Sequence, residues 1–166
     1  MKTLKVKRSL RIELNNIDQT TQIVLGYLTY HAGKLWNEAN YLVKNKLAKP
    51  NKFNLYNKLK DISIHKKSLQ SRTAQIVLDE LSRGWQNFFD YLQTPEKYPS
   101  PVKPPKYNKK SLPHRPVIYD KTGFKIEGSS IRLSLSKELK QHLKEKHNIE
   151  IDYLKIETGL NLSKLN

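Results

Sequence analysis

The sequence predicts an α+β protein: a small β-sheet or barrel with a three-helix lobe inserted into it. Three observations lead there. Residues 3–14 alternate apolar and charged side chains at the period of a strand, and “GFKIEG”, “SSIRLSL” and “NIEIDYLKIET” read as strands near the C-terminus. Residues 19–47 and 70–92 carry apolar residues at helix spacing. Seven of the eight prolines fall between residues 93 and 116, in a stretch without apolar period that separates the helices from the late strands. The expected divisions are residues 1–16 for the first strand, 17–93 for the helical lobe, 94–116 for a Pro/Lys-rich linker and 117–166 for the remaining strands with a short helix at 136–147.

In the first strand, Leu4, Val6, Leu10, Ile12 and Leu14 oppose Lys5, Lys7, Arg11 and Glu13, with a bulge or register change expected near Arg8 and Ser9. Asn15 and Asn16 turn the chain, and Asp18 is placed to cap a helix. The helix over 19–47 has Val24, Leu28, Ala32, Leu35, Ala39 and Leu42 as its stripe, widened by Trp36 and Val43. Gly33 costs about 1 kcal/mol inside a helix, so a local break there is allowed. Lys44, Lys46 and Lys49 lie where cations favour the helix dipole, and Pro50 is expected to stop the helix.

A short helix fits residues 53–60 and a loop fits “DISIHKKS”. The helix over 70–92 buries positions 74, 77, 78, 81, 85, 88, 89 and 92, with Trp85, Phe88 and Phe89 expected in the core. Its other face carries Ser71, Arg72, Gln75, Ser82, Arg83, Gln86 and Asn87, a hydrogen-bonding face rather than a dense charge coat. The last two helices form a loose helix-turn-helix. Beyond the linker, “PVIYD” is expected as a strand, a turn at Gly128–Ser130 joins the next two, and Ser136 caps the short helix.

Lys and Arg number 31 against 15 Asp and Glu, a formal charge of +16, with 25 of the 31 being Lys. Such a balance points to a nucleic acid or an anionic surface. The absence of Cys excludes disulfides and cysteine zinc sites in these residues. No apolar run approaches the ~20 residues of a membrane span, and “MKTLKVKRSLRIEL” lacks the apolar centre of a signal peptide. A cytoplasmic protein with no membrane contact is expected.

An active site cannot be assembled from the sequence. The six glycines are scattered, no HExxH occurs, and His31, His65 and His114 stand alone while His142 and His147 are five apart on a charged helix. The carboxylates are few and unclustered, unlike those of a nuclease metal centre. No metal, cofactor or catalytic residue is expected. Binding features are better developed. Lys5, Lys7, Arg8 and Arg11 give the first strand a cationic edge. Lys103, Lys106, Lys109 and Lys110 interleave with Tyr98 and Tyr107 in the linker, the composition of a nucleic-acid strap. Gln75 has the chemistry to bond an adenine bidentately, and Arg72 to hold a guanine or a phosphate.

“KLWNEANYLV”, “LYNKLK”, “TAQIVLDELSRGWQNFFDYL”, the Pro/Lys segment and “GFKIEG..IRLSL” together resemble the N-terminal portion of the TnpB (OrfB) family of insertion sequences, RNA-guided DNA nucleases related to type V CRISPR effectors. The resemblance implies a wedge-type β-barrel interrupted by a helical recognition lobe. The two would grip a guide RNA derived from the element end and read a short duplex motif beside the target, leaving sequence selection to guide pairing. By matching positions it assigns motif reading to Lys52, Tyr56, Ser71, Arg72 and Gln75, with help from Arg115. Lys34, Trp36 and Asn37 match an element that packs the lobe and borders the RNA. Two departures stand out: the family's Gly-Tyr-Pro-Arg-Phe-Lys after the long helix is loosened to “KYPSPVKPPKYNKK”, and Arg72 replaces a position often apolar.

The family's RuvC-like nuclease domain and zinc ribbon would follow these residues. The expectation is therefore a binding module without cleavage activity, arising by truncation, gene splitting or decay, with a separate RuvC-like half as a partner in the split case. The alternative is a helix-turn-helix transcriptional regulator, usually a dimer on a palindrome, although no dimerising heptad stands apart. A nuclease without its usual domain lacks an acid cluster, and the transposases built on paired histidines lack their His-x-His.

Overall fold

The computed structural model describes residues 9–165. Helices α1 (Gln19–Lys44), α2 (Lys52–Leu59), α3 (Ile64–Lys67) and α4 (Ser71–Gln93) come first, then a 3₁₀ turn at Pro95–Lys97 and the long extended linker. Strands β1 (Phe124–Glu127) and β2 (Ser130–Ser134), helix α5 (Lys137–His147) and strand β3 (Tyr153–Glu157) follow, before a second 3₁₀ turn at Leu162–Leu165. The mixed α+β class is thus present. Among the described residues no helix is long and apolar enough to cross a membrane.

Helix α1 begins where the Asp18 carboxylate accepts the Thr21 amide at 2.7 Å, a bond that holds its pKa below the ordinary value. Val24, Leu28, Ala32, Leu35 and Ala39 then lie on one buried face, meeting Ala74, Val77, Leu78 and Leu81 of α4. Leu139 and Leu143 of α5 and Leu154 and Ile156 of β3 complete the same core, so helices and sheet share one interior. In β3 only alternate residues are buried, as expected for a strand with one face on a core. The sheet is antiparallel in the order β1-β2-β3, with Ile126 opposite Ile131 and Leu133 opposite Leu154. Gly128, at φ +63°, opens the two-residue turn between Glu127 and Ser130.

Several expectations are corrected. The expected barrel is an open three-stranded sheet among the described residues. Residues 9–16 form no strand, and Leu10 and Leu14 are 54% and 37% exposed. Alternation specifies a strand only where a sheet edge is there to pair with it. Lys5, Lys7 and Arg8 lie outside the described residues. “PVIYD” is not a strand either. It is held by side chains instead, with Thr73 Oγ1 donating to the Ile118 carbonyl at 3.0 Å and the Tyr119 hydroxyl to that of Ser134 at 2.8 Å.

Helix α1 stops at Lys44, ahead of Pro50, because Lys46 takes a left-handed conformation (φ +57°) and the amides of Lys46, Leu47 and Ala48 turn back onto the carbonyls of Val43 and Leu42. It does not break at Gly33. The “DISIHKKS” loop contains the one-turn helix α3, capped by Ser63 Oγ on the Lys66 amide. In α4 Trp85 is buried, but Phe89 is 40% and Leu92 58% exposed, so the apolar stripe outruns the core.

The linker is the least ordinary element. Its prolines remove the amide donors a sheet would use, so its carbonyls need donors from elsewhere. Helix α1 supplies them. Asn40 Nδ2 donates to the Pro105 carbonyl at 3.1 Å, Trp36 Nε1 to that of Lys106 at 2.8 Å and Asn37 Nδ2 to that of Asn108 at 3.1 Å. In return the Asn108 amide donates to Asn37 Oδ1 at 2.8 Å, and the Arg115 amide to the Thr29 carbonyl at 3.1 Å. Residues 105–115 therefore run antiparallel to α1 from Asn40 down to Thr29, and Pro113 lies directly on Gly33.

Candidate nucleic-acid interface

The sequence-assigned residues fall into two groups. The first surrounds the start of α4. Lys52 and Tyr56 stand four apart on α2, hence on one face. A hydrogen bond from Ser71, and next to it one from Lys66, holds the Tyr56 phenol below its ordinary pKa, and the Lys66 ammonium lies 4.6 Å from the ring centroid. Arg72 Nη1 donates to Gln75 Oε1 at 2.9 Å while its Nε donates to Asp120 Oδ2 at 3.0 Å. The pair with Asp120 is partly exposed and weakened by solvent screening, so a phosphate or base can compete for the guanidinium. Gln75 keeps its amide hydrogens and one lone pair of Oε1 for a ligand.

The second group lies along the docked linker. Lys103, Lys106, Lys109 and Lys110 are exposed, and among the described residues no acid forms an ion pair with any of them. Lys34, Asn37, Tyr107 and Lys110 line one cleft of about 740 Å³, together with Tyr41 and Glu38. Tyr107 is 44% exposed, with the Lys44 ammonium 4.3 Å from its ring centroid. An aromatic face flanked by ammonium groups on a fixed backbone suits a stacked base and its phosphates.

Trp36 and Asn37 are occupied in holding the linker. Arg115 is largely covered: its guanidinium stacks 3.6 Å from the Trp36 ring and lies 3.6 Å from Glu80. Burial, against the pull of Glu80, lowers its pKa from the ordinary arginine value. These three side chains position the strap more than they offer themselves to a ligand. Arg11 is exposed on the segment before α1.

Three contributors escaped the sequence reading. Lys66 falls in a segment whose sequence predicts a plain loop, although it stands in the one-turn helix beside Tyr56. Asn40, fully buried, joins Trp85 to the strap by accepting from Trp85 Nε1 at 2.9 Å. Its signal was an amide at a stripe position, four after Trp36 and three before Val43. All five histidines converge on one cavity, although nothing in their spacing announces it.

Comparison with protein-family models, with curated proteins and with solved structures finds no match.

Proposed function

We propose that the chain is a nucleic-acid-binding module of the TnpB type, taking guide RNA along the strap and a duplex motif at the start of α4. The observation that supports it most is the strap: lysines without acidic partners among the described residues, carried on a backbone latched to α1 through Pro105, Lys106, Asn108 and Arg115. A mere tether has no need of such fixing, whereas a phosphate-binding surface gains affinity from preorganisation. The direct test is to express the chain beside its flanking DNA and sequence the RNA that copurifies. A discrete structured RNA from the element end supports the reading; random RNA or none counts against it.

Two further outcomes are expected. Reversing the charge of Lys103, Lys106, Lys109 and Lys110 flattens the dependence of log affinity on log salt, by about 0.7–0.9 for each lysine that touches a phosphate. An unchanged slope would reduce the strap to a tether. Gln75→Ala relaxes preference at one base pair by about 1–3 kcal/mol while leaving the others as they were. Equal weakening for every duplex would remove Gln75 from base reading.

A further inference from the structure

Five histidines from four separate elements meet in a cavity of about 650 Å³: His31 from α1, His65 from α3, His114 from the strap, and His142 and His147 from α5. Two tyrosines of α1 complete its aromatic wall. The Tyr30 ring centroid lies 5.3 Å from that of His31, 5.8 Å from His65 and 6.1 Å from His114. The Tyr27 centroid lies 5.0 Å from that of His142 and 5.5 Å from His147. This is an unusual use of a residue type that has no packing need to gather.

Three ligand chemistries can be weighed against the geometry. A metal ion is disfavoured, because four of the five imidazoles already have one ring nitrogen engaged. His31 Nδ1 and His65 Nδ1 are 2.9 Å apart, His147 Nε2 is 2.7 Å from the Tyr27 hydroxyl, and His114 Nδ1 is 2.8 Å from Thr29 Oγ1. Among the described residues no three ligands converge on one ion position. A bare phosphate is disfavoured because the lining is short of positive charge. At 2.9 Å the His31–His65 pair shares one proton, and burial with the neighbouring imidazoles pulls His31 down to about 4. The Lys146 ammonium is accompanied by the Glu138 carboxylate. What fits is a flat, uncharged ring with hydrogen-bonding edges, since Gln22, Ser68 and the imidazole nitrogens of the lining are hydrogen-bonding groups. The cavity volume lies within the usual range for small-ligand sites.

We propose that this cavity receives one unpaired nucleobase of a single-stranded segment whose backbone crosses the strap. The inference rests on the nucleic-acid reading above and adds a place for a base to it. His65 lines both this cavity and the cleft holding Lys34 and Tyr107, so a strand on the strap lysines has a continuous route inward. Lys34, whose ammonium is 5.7 Å from the Tyr30 centroid, stands between the two and can hold the intervening phosphate.

The test measures binding of single-stranded RNA of about twelve nucleotides, both base-bearing and with abasic sugars on the same backbone. Tyr30→Ala is expected to weaken binding of the base-bearing RNA about 5- to 100-fold and leave the abasic RNA unaffected, since base stacking is lost and phosphate contacts remain. Tyr30→Phe keeps the ring and is expected to bind as the unaltered chain does. His114→Ala, on an exposed strap residue, gives a second variant that spares the core and is expected to show the same selective loss. Equal affinity of the unaltered chain for base-bearing and abasic RNA overturns this inference alone. So does equal weakening of both RNAs by Tyr30→Ala and His114→Ala. An unaltered chain that binds neither RNA nor duplex overturns the proposed function with it.

Discussion

Gly33→Ala is expected to lower the free energy of unfolding by about 2–3 kcal/mol, the cost of forcing an extra carbon into a filled site. The sign is the informative part. Inside an unobstructed helix the same change is favourable by about 1 kcal/mol, because alanine is the better helix former. Here a Cβ on residue 33 would occupy the space of the Pro113 carbonyl. Helix α1 is packed on α4 along its buried face and cannot shift, so the strap must lift away instead. Lifting it endangers the Arg115 amide bond to Thr29 and the Asn108 side-chain bond to the Gly33 carbonyl. Urea unfolding measures the stability, and limited trypsin digestion between Lys106 and Arg115 reports the strap. A variant more stable than the parent, with the strap uncut, would mean that the close approach at Pro113 does not hold the strap.

The same glycine shows how far the sequence could be read. Its helix cost suggested a break, and that reasoning used only local propensity. The long-range contact with Pro113, eighty positions on, reverses its meaning, and no pattern within α1 reveals it. What was legible was whatever is decided locally. The apolar spacing of α1 and α4, the Asp18 and Ser136 caps and the Gly128 turn all appear where expected, because neighbouring residues determine them. The strand expected over 3–14 depended on a partner, and residues 9–14 have none to pair with among those described. Proline content identified an extended linker but gave no hint of the surface it follows. The candidate site divides the same way. Ser71, Arg72 and Gln75 gather at one end of α4 because helix geometry brings them there, and Tyr56 joins them from the adjacent α2, whereas the histidine cavity draws on α1, α3, the strap and α5 and exists only once all four are packed.

Asn40→Leu tests the opposite end of the strap. By local criteria the change ought to help: leucine favours helix more than asparagine, and residue 40 is completely buried among apolar neighbours. The asparagine nevertheless connects three elements, accepting from Trp85 Nε1 on α4 and donating to the Pro105 carbonyl of the strap. Leucine leaves a buried indole N–H and a carbonyl without partners, each costing about 1–3 kcal/mol. The expected loss is therefore about 2–6 kcal/mol of unfolding free energy, with an upper end above that for Gly33→Ala. A double-mutant cycle separates the hydrogen bond from simple misfit. Trp85→Phe removes the indole donor, so in that background Asn40→Leu should cost about 1–2 kcal/mol less. Strict additivity would show that the Trp85 bond contributes nothing and that shape alone governs the site. If coupling is found, the buried amide explains how a proline-rich segment with few donors of its own lies fixed on a helix. Latched by Asn40 at one end and seated on Gly33 towards the other, the strap presents its lysines at set positions. The proposed binding of a regularly spaced row of phosphates requires such fixed positions.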